Sequence, residues 1–174
     1  MNNNQAIDNI MSRVSIRKYT EEKVSKDDIH TILKAAMAAP TANNRRPYHF
    51  IVIEDQSVKD LLSQVNPNST MIQKSSLAIA VCGDTTVEPT FDFIHHDCAA
   101  AIQNILLASH ALNLGAVWVG IKQDIDIHWI KHVTKVLDLP DHIKPIGIVP
   151  IGHPNQKREA KERYDENLIH YNKW

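Results

Sequence analysis

The stretch covering residues 91–114 constrains the chain most. Ile94, Cys98, Ala101, Ile102, Ile105, Ala108 and Leu112 recur at the spacing of one helical face, and Ala99, Leu106 and Ala111 leave the opposite side nearly as apolar. A helix greasy on two sides is buried on two sides, in the centre of a domain or against a second subunit. In a chain of 174 residues, about one domain long, the second subunit fits at least as well.

The remaining segments surround this helix with short elements of both kinds. Ala6, Ile7, Ile10 and Met11 predict a short amphipathic helix over 3–11. Ser25 followed by Asp28 reads as a helix cap, with Ile29, Ile32, Leu33, Ala36 and Met37 as the apolar stripe and Pro40 ending the helix near Ala38 or Ala39. Buried strands are expected over 50–53, 77–81 and 145–151, and helices over about 56–65 and 125–137, with a turn at Asn66-Pro67-Asn68. Residues 116–121 form a short apolar run around Gly120, one of five glycines, which points to close approach of backbone to something else. There is no regular strand-helix-strand rhythm, so the reading is α+β: a mixed central sheet flanked by helices, in a single domain over 1–174. The charged tail, 157–174, carries Leu168, Ile169, Tyr171 and Trp174, and is expected to dock, on a partner subunit among other places.

Composition removes several function classes. With a formal net charge of −1 there is no electrostatic case for a nucleic-acid or membrane-surface partner. No run reaches the roughly 18 to 20 apolar residues of a spanning helix, and the polar start does not read as a signal peptide, so cytoplasmic residence is expected. Cys82 and Cys98 are too few for a disulfide framework and are expected as thiols. Glycine-rich phosphate loops and the G-x-S-x-G elbow are absent. His95, His96 and Cys98 cannot share an ion on one helix, and His128 with His132 lacks an evident third ligand, so no metal is expected. No local signature supports a cysteine or serine nucleophile.

One local cluster remains to be explained. Arg13-Val14-Ser15-Ile16-Arg17-Lys18-Tyr19 puts three cations and a hydroxyl within seven residues. If the segment is extended, Arg13, Ser15 and Arg17 share one face, with Val14 and Ile16 on the core side. Such a comb of donors suits a phosphate dianion, although most charge clusters are solvated surface. Lys161 and Arg163, also two apart, could close such a site from the other end of the chain.

These residues carry a family resemblance. Arg13-x-Ser15-Ile16-Arg17-x-Tyr19 resembles the opening motif of the FMN-dependent nitroreductase family. Residues 39–52 are similar to its proline-flanked loop, 97–108 to its central dimer helix, and 114–120 to the strand that follows. Pro150-Ile151-Gly152-His153-Pro154 and Lys161-x-Arg163 fall in the family's order. The resemblance implies an intertwined homodimer with the long helix at the interface. It also implies bound FMN, with NADH or NADPH as donor and a nitroaromatic, quinone or similar small molecule as acceptor in a ping-pong reaction. Flavin reductase, enone reductase, reductive dehalogenase or a flavin-binding redox module without turnover are the alternatives. Carried over by position, Arg13, Val14, Ser15, Arg17, Lys161 and Arg163 hold the phosphate and ribityl. Pro40, Thr41, Ala42 and Asn44 line the ring from the opposite subunit, Trp118, Val119 and Gly120 lie along it with the Gly120 N–H toward N5, and Asn68 touches it. No side chain is implied as catalytic. Arg46 and Tyr48 depart from the family's usual Gln and Trp, and Asn113 from a common Gly.

Overall fold

The computed structural model describes residues 4–121 and 127–174. Helix α1 (Gln5–Ser12) opens on Asn4, whose side chain accepts from the Ala6 and Ile7 amides. It is the amphipathic helix expected at the start, yet Ile7, Ile10 and Met11 are exposed, so its apolar face is uncovered in the single chain. Helix α2 (Lys26–Met37) begins at the predicted cap. The Ser25 hydroxyl accepts from the Asp28 amide at 3.0 Å and donates to the Asp28 carboxylate at 2.7 Å, which satisfies one orphan N–H and sets a negative charge at the positive end of the helix. Ile29, Ile32 and Ala36 are buried as expected, whereas Met37, at the last turn, faces solvent.

Among the described residues, five strands make one sheet: β1 (Tyr48–Ile53), β2 (Leu77–Asp84), β3 (Gly115–Ala116), β4 (Val119–Gly120) and β5 (Ile143–Gly152). Their order is β1-β2-β5-β3, with β4 also on β5 and every described pairing antiparallel. Alternate residues of β2 feed two cores. Leu77, Ile79 and Val81 pack with α2 and the long helix α5 (Phe91–Ala111) on one face. Ala78 and Ala80 pack on the other face with α3 (Gln56–Leu62), α4 (Met71–Lys74) and α6 (Ile127–Val136). The result is the expected α+β layering, with one helix, α4, that the sequence did not announce. The expected helix over 125–137 starts at Ile127, and residues 125–126 lie outside the described residues. Helix α3 stops at Leu62, three residues early, capped at its start by the Asp55 carboxylate accepting from Val58.

The long helix buries Ile94, Cys98, Ala101, Ile102 and Ile105 on its sheet side, and Asp97, Leu106 and Ser109 beside them. It ends three residues before the expected limit because Asn113 takes a left-handed conformation, φ 60°, letting the Leu114 amide reach back to Ser109 at 2.8 Å. Among the described residues, no helix is long and apolar enough to cross a membrane.

Both prolines of β5 stand where a missing N–H is tolerated. Val81 faces Gly147 while Cys82 faces Pro145, so Ile146 is the extra residue of a bulge. On the other side, β3 and β4 share one register, with Ala116 opposite Ile151 and Val119 opposite Ile148. They are one strand interrupted at Val117 and Trp118, and the interruption falls opposite Pro150.

Replacing the α2 cap tests the local argument. Ser25→Ala is expected to lower the unfolding free energy by about 1 kcal/mol, and Ser25→Asn by much less, in urea denaturation.

Candidate active site

The basic segment 13–19 is not a strand, but the sheet edge holds it. The Ile16 amide donates to the Ala116 carbonyl at 3.0 Å, the Asn155 amide to Lys18 at 2.8 Å and the Thr20 amide to His153 at 2.9 Å. Tyr19 forms a single bridge with Pro154, and its buried hydroxyl donates to the Ile16 carbonyl at 2.8 Å and the Pro150 carbonyl at 3.2 Å. Ile16 is buried as expected and Val14 half-buried, with Arg17 and Lys18 exposed. A Cβ on Gly115 would fall 2.5 Å from Ile16 Cγ2, so only glycine lets this segment lie so close to β3.

Arg17 is the junction of three adjoining clefts. One, of about 670 Å³, is lined by Val14, Ser15 and Arg17 and by the tail residues Lys157, Arg158, Lys161 and Arg163. The Arg158 guanidinium donates to the Ser15 carbonyl at 3.2 Å and ties the tail to the segment. Arg13 adjoins through a smaller cleft that shares Lys161 and Arg163. Burial and the neighbouring Arg163 guanidinium hold Arg13 below the usual arginine value. Two cations from opposite ends of the chain are thus close enough to repel.

A second cleft, of about 370 Å³, runs from Arg17 past Asn68, Thr70 and Met71 to Trp118, Val119 and Gly120. The Ile121 amide donates to the Ile146 carbonyl at 3.1 Å. Because bonded and non-bonded pairs alternate along an antiparallel ladder, Trp118 and Gly120 turn their N–H and C=O groups away from β5. A Cβ on Gly147 would fall 2.5 Å from Trp118 Nε1, so Gly147 is the floor on which the indole rests.

The structure therefore gathers Arg13, Val14, Ser15, Arg17, Asn68, Trp118, Val119, Gly120, Lys161 and Arg163 around connected clefts. Pro40, Thr41, Ala42 and Asn44 line none of these clefts. Their loop is held against the long helix instead, where the Ala42 amide donates to Asp97 Oδ1 at 2.9 Å, while Asp97 Oδ2 is buried with no hydrogen-bond partner among the described residues. Asn43, Asn44 and Arg46 all have φ between 51° and 56°, an unusual set without glycine. Arg45 pairs with the buried Glu88 at 2.9 Å, the Arg46 side chain donates to Asn44 at 2.9 Å, and the Tyr48 hydroxyl donates to the Met37 carbonyl at 2.7 Å. Sequence reasoning missed Thr70, Met71 and Trp129 in the second cleft, and Lys157 and Arg158 in the first. The last two stood within the same charged tail as Lys161 and Arg163. The apolar tail residues Leu168, Tyr171 and Trp174 remain exposed on this chain.

A model of the nitroreductase family matches residues 10–79 and 84–153. The chain belongs to the nitroreductase family. A Methanothermobacter thermautotrophicus protein, provisionally named NADH dehydrogenase/NAD(P)H nitroreductase, is 37% identical over 165 residues, covering 95% of this chain and 85% of its own. A crystal structure from Parabacteroides distasonis with the same provisional name superposes with a TM-score of 0.93 at 39% identity, over 98% of this chain and 99% of that one. An FMN-dependent nitroreductase from Clostridium difficile superposes with a TM-score of 0.89 at 28% identity, over 97% and 99%. This member of the family is an NAD(P)H-dependent oxidoreductase.

Its two thiols take no part in the clefts. Burial pushes Cys82 and Cys98 up to about 12, so almost no thiolate exists near pH 8. Iodoacetamide at that pH is expected to leave both unmodified in the native protein and to alkylate both in urea, as read by intact mass.

Proposed function

We propose that the protein is a homodimeric FMN oxidoreductase, fed by NADH or NADPH, that reduces a nitroaromatic, quinone or similar small acceptor. The observation that carries the reading is the approach of Arg13 and Arg163. Both line one small cleft, and Ser15, Arg17 and Lys161 line the one adjoining it, a donor set that suits a phosphate even with Glu159 and Glu162 on the same walls.

FMN fits this donor set. Arg13, Val14, Ser15, Arg17, Lys161 and Arg163 hold its phosphate and ribityl, while Asn68, Trp118, Val119 and Gly120 flank its ring. FMN held there would supply the redox chemistry, hydride from the nicotinamide being accepted at N5 and reducing equivalents going on to the acceptor. The chain's own part is to bind, orient and tune. The Gly120 N–H, turned away from β5, is the donor assigned to N5, where a donor favours added electron density. No side chain is assigned as acid, base or nucleophile.

Pro40, Thr41, Ala42 and Asn44 complete the site from a second copy. The uncovered faces of α1 and the tail support that assembly, with α5 at the interface. Residues 1–174 act as one domain, and the two free thiols suit a reducing cytoplasm.

The absorbance spectrum before and after anaerobic NADH or NADPH tests the reading. Flavin bands near roughly 370 and 450 nm that bleach with donor and return with acceptor are expected. A protein that stays colourless with added FMN overturns it, and a bound flavin that no donor bleaches makes the protein a redox store. Gly115→Ala, by displacing Ile16 and the segment behind it, should weaken FMN binding about tenfold in flavin fluorescence titration while the circular dichroism spectrum persists.

A further inference from the structure

Of the residues assigned to the flavin, only Arg17 lines the third cleft. It is an open cleft of about 680 Å³, within the roughly 300–1,000 Å³ of small-molecule sites. Its cations are Arg17, Lys18, Lys74, Lys157 and Arg158, and no carboxylate lines it, although the chain holds 20 acidic against 19 basic residues. None of the five stands in an ion pair among the described residues. This cleft shares Arg17, Thr70 and Met71 with the one lined by Trp118, Val119 and Gly120. The three shared residues form a rim between an aromatic, backbone-lined slot and a basin whose charged residues are all cations.

We infer that this basin receives the 2′-phosphate end of NADPH and makes the enzyme prefer NADPH to NADH. The inference rests on the flavin reading, which puts the nicotinamide over the ring cleft. A dinucleotide lying there and crossing the rim brings its adenosine end into the basin. The pyrophosphate common to both donors carries about two negative charges, and the 2′-phosphate of NADPH adds nearly two more. Lys18 and Lys74, the two basin cations that do not line the flavin phosphate cleft, are left to meet that added charge. Lys18 and Lys74 are the discriminating pair, because Arg17, Lys157 and Arg158 also line the phosphate cleft of the flavin whereas these two do not. Both are exposed, so their removal leaves the core untouched.

The test compares wild type with Lys18→Ala/Lys74→Ala at low salt, by steady-state kinetics with each donor and by calorimetric titration with 2′,5′-ADP and 5′-AMP. Wild type is expected to favour NADPH about tenfold or more in kcat/KM, and to bind 2′,5′-ADP more tightly than 5′-AMP by a similar factor. In the double variant the KM for NADPH should rise about tenfold, with kcat, FMN content and the NADH parameters unchanged, and the 2′,5′-ADP advantage should vanish. Equal use of both donors by wild type, an equal loss for both donors in the variant, or loss of FMN from the variant overturns the inference. Failure of the flavin reading is seen separately, as a protein that binds no FMN before any donor is added, while the 2′,5′-ADP titration still reports on the basin.

Discussion

The Tyr19 hydroxyl is the hinge pin of the molecule. From a buried position it donates both to Ile16, three residues back, and to Pro150, deep in the central strand. A buried hydroxyl without partners would be strongly unfavourable, so these two bonds specify where residues 13–19 lie. The Ile16 amide on Ala116 and the close contact of Ile16 with Gly115 fix the same segment from the other side. A short irregular stretch thereby acquires the positional accuracy of a sheet. Arg13 and Arg17 can then project from a rigid base, which flexible side chains on a loop could not achieve at comparable entropic cost.

The chain holds the proposed site residues in two places. The cationic segment, the interrupted strand and the tail surround one set of clefts. The loop at Pro40–Asn44 is fastened elsewhere, to Asp97 on the long helix and, through Arg45, to Glu88. Asp97 is buried with one oxygen on Ala42 and the other without a partner among the described residues. Loop and helix are therefore fastened together, which suits the proposal that a second copy packed on α5 receives the loop.

Much of this was legible in residue order. The Ser25–Asp28 cap, the stripe of α2 and the sheet-facing side of α5 follow from local chemistry and helical period, and they stand where those rules put them. Strand limits were less legible. Cys82, Gly83 and Asp84 break the apolar run of β2, yet the ladder continues because β5 supplies partners as far as Ile143. Helix α4 has four residues, too few to display a period, and so Thr70 and Met71 went unseen as cleft walls. The grouping of Arg13 with Arg163 was raised by residue type alone, as two basic pairs at opposite ends of the chain, and only the resemblance made it specific, since spacing within either segment says nothing of a partner 150 residues away.

Pro150 has a consequence beyond the site. An edge strand with a full row of unpaired amides is a template on which another chain can add itself, and aggregation begins there. Here the edge formed by β3 and β4 is two short pieces, broken opposite the proline, with the Trp118 indole stacked over Gly147 at the break. Interrupting the ladder leaves no long straight edge for a stray strand to extend. The same missing N–H that frees backbone groups near the cleft also keeps the sheet from growing sideways.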